Sequence, residues 1–538
     1  RLPARPRPLD RGQAGAGLVV RVRTLAGMAG LLSLAAALAA AELVVGVVEG
    51  TESPVVSVGE TVIDRAPRAV KDWAIDSFGT NDKLVLVLGT LALLGLASVP
   101  LGRLALRHRT VAFSLVMALG AVGLVCALTR PDMSAADALP TLVATAAGLA
   151  ALVVLTGRLT VPPPPGEDPP GEHPALARAG TVARREFVVA ALGVGAAAAA
   201  TGGLGRLLGK RFTAEAARAD VLLPAAADPA RPLVGTDVAV DGATPFVTPN
   251  NGFYRIDTAL ISPQVTPESW SLRIHGMVEQ ELKLSYDDLL SRPLVERHIT
   301  LCCVSNEVGD DLIGNALWLG VPLADVLNQA GVQPGATQLV SRSVDGWTCG
   351  TPVAALLDGR DALLAVGMNG EPLPVGHGFP VRMVVPGLYG YVSATKWVTD
   401  MELTTWEAFD AYWVRRGWAQ QAPVKVQSRI DTPRGRAKLG RGTVALAGVA
   451  WATHVGIDRV EIRVDDGDWR SAELAAVPSS DTWRLWRYDW DTSGVSAGSH
   501  DLTVRATNSA GVTQPAGYSG PGPDGAEGWH RIGVVVSD

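Results

Sequence analysis

The feature that most constrains this chain is a series of long apolar runs confined to the first 210 or so of its 538 residues. Four of them approach the roughly 20 residues that a membrane-spanning helix needs, and a fifth is weaker because it is rich in Ala and Gly. They lie at about 25–48, 84–101, 111–129, 138–156 and 187–208. Nearly all of the 14 Trp residues follow these runs. The sequence therefore predicts an α-helical membrane region of about five spans over 1–210, followed by a globular part large enough for two domains.

The distribution of arginine predicts the orientation of these spans. Basic segments precede the first run, separate the second from the third, and separate the fourth from the fifth, whereas the loops 49–83 and 130–137 are mixed or acidic. Cytoplasmic loops carry an excess of Lys and Arg, so five spans would put all three basic segments in the cytoplasm and the chain after about residue 210 outside. The basic residues are Arg5, Arg7, Arg11, Arg21, Arg23, Arg103, Arg107, Arg109, Arg158, Arg178, Arg184 and Arg185.

A proline-rich stretch lies between the fourth and fifth runs. Residues 161–174 include Pro162 to Pro165 and Pro169-Pro170, which predicts a stiff, extended linker. The pair Arg184-Arg185 then precedes the Ala-rich run and is similar to a twin-arginine export signal. A basic anchor at the start of a helix is an equally good interpretation of this pair.

Cysteine, histidine and net charge exclude several classes of protein. The Cys residues are too few for a disulfide framework, and the sequence has no Cys-x-x-Cys-His site for haem attachment. A haem between membrane helices needs paired His ligands, but residues 1–210 contain only His108, in a basic loop, and His173, in the linker. We therefore expect no haem, and the net charge of -6 gives no indication of nucleic-acid binding. The four Cys residues are Cys126, Cys302, Cys303 and Cys349.

Residues 211–420 are predicted to form an α+β domain. Leu323 to Ala330 has the pattern of a helix that ends near Gly331. Leu339 to Val344 alternates as a strand before an Asp-Gly turn, and Val381 to Val385 is an apolar run typical of a buried strand.

The pattern changes over residues 421–538. Val460, Ile462 and Val464 alternate before the hairpin turn Asp465-Asp466-Gly467. Alternation returns in later segments that are separated by turns. Short strands at regular spacing predict an immunoglobulin-like β-sandwich as the C-terminal domain.

Cys303 is the candidate metal ligand, because a thiolate is a soft ligand suited to molybdenum and other thiophilic metals. It lies in a Leu-x-Cys-x-x-Asn pattern that ends at Asn306. His377, Arg382 and Lys396 follow later in the chain. Arg offers a bidentate fork to phosphate and Lys a point charge. A thiolate and cations in this order can ligate a soft metal and hold a phosphate-bearing organic cofactor beside it.

These segments resemble the sulfite oxidase family of molybdenum-pterin enzymes. Residues 370–397, from Gly-Glu-Pro-Leu-Pro to Lys-Trp, are similar to the family's pterin segment almost residue by residue, and the Cys303 pattern is similar to its molybdenum-cysteine segment. Residues 248–255 resemble, more weakly, the loop that closes over the pterin. The resemblance covers about residues 230–538. It implies a molybdenum-molybdopterin cofactor with Cys303 as its metal ligand.

The resemblance also implies which residues form the site. The residues expected to act in catalysis are Cys303, Trp347 and Arg255. Those expected to bind the cofactor are Asn250, Tyr254, Arg255, Ser343, His377, Arg382, Ala394, Thr395 and Lys396. Cys302 stands where many members have Gln, and we expect it to point away from the metal because successive side chains of a strand alternate in direction.

The chain departs from the family pattern at two positions that bear on the substrate. Animal and plant sulfite oxidases carry Arg directly after the Asn of the cysteine segment, whereas this chain has Glu307, with Asp310 and Asp311 nearby. Trp347 stands where those enzymes have an active-site Tyr. Cations complement an anionic substrate, so two features that would favour sulfite are missing.

The sequence thus predicts a membrane-anchored, extracytoplasmic oxidoreductase that moves an oxygen atom to or from a small, sulfur-containing substrate and exchanges electrons with a separate partner. The alternatives are a sulfoxide or N-oxide reductase of the same fold, a binding or assembly module that has lost the metal, and a transporter with an external sensing domain. Intact Cys303, Arg382 and Lys396 disfavour the module, and the scarcity of charged residues inside the spans, where only Glu42 and Arg206 occur, disfavours the transporter. Residues 448–461 resemble the family's dimerisation domain, which implies a homodimer through 421–538.

Overall fold

The computed structural model describes residues 11–48, 51–67, 70, 73–74, 77–78, 82–130, 135–159, 173–209 and 213–537. The chain divides into two compact units. One extends to Thr213 and includes Ala259–Ile261, and the other comprises Ala214–Thr258 and Ser262–Asp538. Most of the linker predicted at 161–174 lies outside the described residues, so its conformation stays a prediction.

Helices form the N-terminal unit. They are α1 (Arg11–Val47), α2 (Pro54–Arg65), α3 (Asp82–Ala105), α4 (Arg109–Leu128), α5 (Ala138–Gly157) and α6 (His173–Gly209). In the described part of the chain, five helices are long and apolar enough to cross a membrane. The five apolar helices expected from the sequence are therefore confirmed. Arg184 and Arg185 lie within α6 rather than at its start.

Small residues allow α1 to approach its neighbours closely. A Cβ atom on Gly30 of α1 would collide with the backbone of α3, and one on Gly102 of α3 would collide with the backbone of α1. Gly46 of α1 and Gly205 of α6 face each other in the same way. Close approach of this kind gives helices the van der Waals contact that holds them together in an apolar environment.

Two sheets and several short helices form the α+β part of the second unit. The helices are α7 (Ala214–Asp220), α8 (Tyr286–Leu290), α9 (Leu323–Ala330) and α10 (Val353–Leu356). The strands are β1 (Ser271–Gly276), β2 (Leu282–Ser285), β3 (Val295–Cys302), β4 (Ile313–Pro322), β5 (Gln338–Ser343), β6 (Thr348–Pro352), β7 (Leu363–Met368), β8 (Glu371–Pro372), β9 (Arg382–Val384) and β10 (Val398–Thr404). One sheet has the order β2-β1-β10-β5-β6, with β1 and β10 parallel, and the other has the order β3-β4-β7-β8, with β9 beside β7.

The helix predicted at Leu323 to Ala330 is confirmed as α9. Leu323, Val326 and Leu327 are buried on one face of it, because apolar residues spaced three and four apart share one side of a helix. Gly331 follows with φ of 72°, a left-handed conformation that a glycine adopts without strain and that ends the helix. The predicted strands at 339–344 and 381–385 correspond to β5 and β9.

The C-terminal part is a β-sandwich, as predicted. Its strands are β11 (Gln427–Thr432), β12 (Lys438–Leu439), β13 (Thr443–Trp451), β14 (Ile457–Val464), β15 (Arg470–Ser471), β16 (Glu473–Leu474), β17 (Arg484–Asp491), β18 (Gly498–Asn508) and β19 (His530–Val536). One sheet has the order β11-β13-β17-β16 and the other β12-β19-β18-β14-β15. Val460 and Ile462 of β14 are buried between the sheets, and the predicted turn after Val464 joins β14 to its antiparallel partner β15.

The sandwich also contacts strand β3 of the α+β part. Thr300 in β3 donates its backbone N–H to the carbonyl of Asp481 at 3.0 Å, and its hydroxyl accepts from the backbone N–H of Trp483 at 2.8 Å. The Trp483 indole donates to the carbonyl of Phe246 at 2.9 Å and is fully buried. These bonds fix β3, whose last residue, Cys302, precedes Cys303.

We expect Leu327→Ala to destabilise the α+β part by about 2–5 kcal/mol, because it removes a fully buried side chain and leaves a cavity. The urea midpoint of the purified protein in detergent measures the change. Asn328→Ala, on the exposed face of the same helix, is the matched control and should stay within about 0.5 kcal/mol of the parent chain. Equal losses in both variants would contradict the packing described for α9.

Candidate active site

Cys303 lies directly after β3 and lines a cavity of about 140 Å³ in the second unit. Its backbone N–H donates to the carbonyl of Leu312 at 2.9 Å, and Asn306 Oδ1 accepts from the Leu312 N–H at 2.8 Å. The Asn of the sequence pattern therefore holds the cysteine loop in shape. Cys302 instead packs in the hydrophobic core, with 1% of its surface exposed. The two neighbouring thiols point in different directions, as the alternation of a strand requires.

Burial raises the pKa of the Cys303 thiol, although the backbone and side chain of Ser305 oppose this effect. By itself, the buried sulfur is therefore neutral at ordinary pH. A bound metal cation removes the proton from a coordinating thiol. Cys303 thus has the properties of a thiol that becomes an anion only when a metal is present.

Arg382 is a buried cation on strand β9. Its guanidinium donates to the carbonyl of His377 at 3.1 Å, and it lies over the ring of Trp318 at 5.0 Å from the centroid. The Nε atom of Arg382 is buried and has no hydrogen-bond partner among the described residues. Burial lowers the pKa of Arg382 to about 10, although Tyr254 opposes the shift. An unpartnered buried donor is costly, and an anionic ligand in the cavity would remove that cost.

Lys396 and Arg255 share one carboxylate. Lys396 Nζ donates to Asp257 Oδ2 at 2.6 Å, and Arg255 Nε donates to the same oxygen at 3.1 Å. The side chains of Lys396 and Asp257 are 10% and 5% exposed, while that of Arg255 is 46% exposed. Burial lowers the pKa of Lys396 to about 8, and the charge of Asp257 limits the shift.

His377 lies near these cations. Burial, with Arg382 and Lys396 nearby, lowers its pKa to about 4, so the imidazole is neutral near pH 7. Its Nε2 atom is 3.2 Å from the carbonyl oxygen of Asn250. Because a carbonyl can only accept, Nε2 carries the proton and donates to it.

Tyr254 forms another wall of the cavity. Its ring stacks on that of Phe253, with centroids 5.2 Å apart. Burial raises the pKa of the Tyr254 phenol, and the neighbouring Cys303 and Cys302 add to this effect. The phenol therefore keeps its proton and can donate a hydrogen bond into the cavity.

A turn between β5 and β6 brings Trp347 to the cavity. The Trp347 carbonyl accepts from the Ser343 backbone N–H at 2.9 Å, and its own N–H donates to Asp345 Oδ1 at 3.2 Å. Burial raises the pKa of Asp345. This is the turn that the Asp345-Gly346 pair predicts.

Most of the residues expected to form the site line this one cavity. They are Cys303, Trp347, Arg255, Tyr254, Ser343, His377, Arg382, Ala394 and Lys396. Asn250 and Thr395 are not among the lining residues. Asn250 accepts from His377 through its backbone and donates its amide to Glu371 at 2.9 Å. Thr395 is fully buried and hydrogen-bonds Ser341 at 2.6 Å. These two residues would act by positioning their neighbours.

Sequence reasoning missed several residues of the cavity. Asp257 and Asp345 supply its carboxylates, and Trp413 and Trp418 contribute to its wall. A usable signal for Asp257 was its position two residues after Arg255. Trp413 and Trp418 lie outside the three motif segments, 248–255, 301–306 and 370–397, so only the folded chain brings them to the cavity.

The lining fits a phosphate-bearing cofactor that contains a soft metal. Cys303 offers a sulfur ligand on one side. Arg382 and Lys396 offer hydrogen bonds suited to a phosphate, whereas the single N–H of neutral His377 is already donated to the Asn250 carbonyl. The unpartnered Nε of Arg382 is the observation that most favours an anionic ligand. The arrangement can hold such a group and exclude bulk water from it.

Comparison with known proteins agrees with this geometry. The family described as "oxidoreductase molybdopterin binding domain" matches residues 259–413, and "bacterial Ig domain" matches 427–504. Mitochondrial sulfite oxidase of Homo sapiens is 31% identical over 347 residues, which cover 54% of this chain and 62% of that protein. The uncharacterized oxidoreductase YuiH of Bacillus subtilis is 35% identical over 149 residues, which cover 28% of this chain and 72% of that protein.

Among solved structures, the sulfane dehydrogenase SoxCD of Paracoccus pantotrophus aligns with a TM-score of 0.45 and 25% identity, over 52% of this chain and 76% of that one. The chain spans less than two thirds of the length of the human sulfite oxidase. The fold and the matches define a molybdopterin-binding oxidoreductase. The chain belongs to the sulfite oxidase family of these enzymes.

Lys396 should make the stability of the cofactor-free protein depend on pH. Its pKa in the folded state is about 8, below the ordinary 10.5, so between these values the folded state binds fewer protons than the unfolded chain. Stability therefore rises with pH across this window. Melting curves should show that the Tm of the parent chain rises relative to that of Lys396→Met between about pH 8 and 10.5. Lys283→Met, on an exposed strand residue, should follow the parent chain at every pH. A constant difference between the parent and Lys396→Met would contradict the assignment.

Proposed function

We propose that this protein is a membrane-anchored, extracytoplasmic molybdenum-pterin oxidoreductase that moves an oxygen atom to or from a small, sulfur-containing substrate. The observation that carries the proposal is that Cys303 lines the same cavity as Arg382, Lys396 and His377. These residues are far apart in sequence, and their meeting combines a soft metal ligand with a phosphate-binding cluster.

Each residue has a role that follows from its geometry. Cys303 would ligate molybdenum, and Arg382 and Lys396 would bind the phosphate end of the pterin, with His377 beside it and tied to the loop that carries Asn250. When bound, the metal and pterin supply oxygen-atom transfer and its accompanying electron chemistry. Tyr254 keeps its phenolic proton and would orient an oxygen atom near the metal by a hydrogen bond. Trp347 would exclude water and bound the space left for the substrate.

The remaining partners follow from the same proposal. The catalytic part would lie outside the cytoplasm, held by the apolar helices, and the Arg184-Arg185 pair would serve in export of the loaded, folded protein. Electrons would pass to or from a separate redox protein. Two copies of the chain would associate through residues 421–538.

Cys303→Ser should abolish turnover, because serine replaces a soft sulfur ligand with a hard oxygen, while Cys302→Ser should keep turnover above about half of the parent rate. Activity is measured with artificial electron carriers, and the molybdenum content of each purified variant is measured alongside. Cys302 is the matched control because it is a neighbouring buried thiol that faces the core. Activity that survives in Cys303→Ser but not in Cys302→Ser would refute the ligand assignment.

Residues 213–537 should be accessible from outside intact cells. The reason is that the Arg-rich segments before the apolar part of α1, at the junction of α3 and α4, and before the apolar part of α6 would share the cytoplasmic side. A thiol-reactive, membrane-impermeant reagent should label Ser537→Cys in intact cells. Glu407→Cys, at another exposed position of the second unit, should be labelled equally. Labelling of both only after lysis would refute the proposed topology.

A further inference from the structure

Part of the cavity wall is built from large aromatic side chains. We call Trp347, Trp413, Trp418 and Tyr391 the aromatic collar, and all four line the cavity. The rings of Trp413 and Trp418 meet edge to face, with centroids 6.3 Å apart, and Tyr391 lies 5.8 Å from Trp418. The Tyr391 hydroxyl donates to the carbonyl of Ala419 at 2.8 Å. The wall that a ligand meets here is therefore mainly apolar.

The backbone between the two tryptophans fixes their meeting. Val414–Arg416 forms a short 3-10 turn, and Gly417 follows with φ of 91°. The Trp418 N–H then donates to the Trp413 carbonyl at 3.1 Å. A left-handed residue is needed to close this turn, and the result brings two indoles five residues apart onto one wall. The local backbone therefore holds both indoles of the collar at the wall of the cavity.

The charged residues that line the cavity leave a positive excess of only one charge before a cofactor binds. Its cations are Arg255, Arg382 and Lys396, and its carboxylates are Asp257 and Asp345. Asp257 pairs with both Lys396 and Arg255. A pterin phosphate would bring about -1.5 to -2 charges of its own, as phosphate monoesters do near pH 7. A loaded site therefore keeps little positive charge with which to attract a doubly charged oxyanion.

Glu307 does not alter this balance, because it is not among the lining residues. Its carboxylate accepts from the Tyr518 hydroxyl of the sandwich at 2.7 Å. The residue after Asn306 therefore contacts the C-terminal part and not the cavity. No cation from the described cysteine loop, residues 303–312, reaches the cavity.

We infer that the aromatic collar selects neutral sulfur compounds with apolar substituents, and that the site acts on a thioether–sulfoxide couple in preference to inorganic sulfite. The inference rests on the proposed function and names its substrate class. In the reductive direction the S–O bond breaks, the sulfur regains an electron pair, and the oxygen leaves as water after taking up two protons. A one-electron redox protein supplies the two electrons in successive transfers. Oxidation of the thioether is the reverse of these steps, with water as the source of oxygen.

Aromatic walls, and the small positive charge left once the phosphate is bound, suit this class of substrate. The alkyl or aryl groups of the substrate lose contact with water against the indole rings. Its S–O group is a neutral acceptor that the Tyr254 phenol can bind. Sulfite would lose its hydration in a loaded site where Lys396 and Arg255 are paired with Asp257 and Arg382 is assigned to the phosphate, which is costly.

The test compares substrates on the molybdenum-loaded full chain in detergent. Methyl phenyl sulfoxide is offered with a reduced viologen dye, methyl phenyl sulfide with ferricyanide, and sulfite with ferricyanide. We expect kcat/KM for the sulfoxide or the sulfide to exceed that for sulfite by about tenfold or more. A higher kcat/KM for sulfite than for both organic compounds would overturn the inference while leaving the proposed function intact. Protein that contains molybdenum but acts on none of the three, or that fails to bind molybdenum, would overturn both.

Variants of the collar test its role separately. Trp413→Ala and Trp418→Ala should each raise KM for the organic substrate about tenfold, the loss of about 1.4 kcal/mol of contact, with sulfite kinetics unchanged. Trp418→Phe should recover most of the loss. Trp469→Ala removes a partly buried indole of the sandwich and is the matched control, with no change expected. Equal changes for sulfite and the organic substrate would overturn the selective role.

A binding measurement gives a readout that does not depend on turnover. Methyl phenyl sulfone is neutral and carries the same substituents, and calorimetric titration should show it binding to the parent chain and about tenfold more weakly to Trp418→Ala. Asp257→Asn removes the carboxylate that pairs with Lys396 and Arg255. This variant should therefore bind sulfite more tightly than the parent chain does. Molybdenum content is measured for each variant so that loss of cofactor is recognised. Equal sulfone affinity in the parent chain and Trp418→Ala would overturn the inference.

Discussion

The pairing of Asp257 with Lys396 and Arg255 is the interaction on which the candidate site depends. Placing cations in a cavity walled by aromatic and aliphatic groups is costly unless their charge is compensated. The shared carboxylate oxygen lies 2.6 Å from Lys396 Nζ and 3.1 Å from Arg255 Nε. Arg382, which has no such partner, instead uses backbone carbonyls and the face of Trp318. These different partners explain why Arg382 keeps an unpartnered donor for a ligand while Lys396 and Arg255 are both paired with one carboxylate.

The position of Cys303 depends on a second constraint, the anchoring of β3 from both sides. Strand pairing with β4 fixes its register, and Thr300 bonds it to the sandwich through Asp481 and Trp483. Because side chains alternate along a strand, that register decides which of two adjacent thiols faces the cavity. The C-terminal part therefore contributes to the site although none of its described residues, 421–537, lines the cavity.

Much of the fold could be predicted from local pattern. Helix α9 and its glycine end were predicted residue by residue, since both amphipathic spacing and a left-handed cap are local properties. The apolar helices and the sandwich were predicted for similar reasons. The start of α6 differed from expectation, since the arginine pair lies inside a helix that begins at His173. Ala-rich sequence before the apolar run favours helix on its own, and hydropathy does not mark where such a helix starts.

For the site, the sequence by itself determined which kinds of ligand are available. These are a thiol in a Leu-x-Cys-x-x-Asn pattern, and later an Arg and a Lys in or after an apolar run typical of a buried strand. These are properties of residue type and order. Only the tertiary structure decided that Asp257 neutralises Lys396, that Trp413 and Trp418 complete the wall, and that Asn250 and Thr395 stand behind it. Such facts depend on which distant segments meet and on the direction of each side chain, and neither is encoded in local spacing.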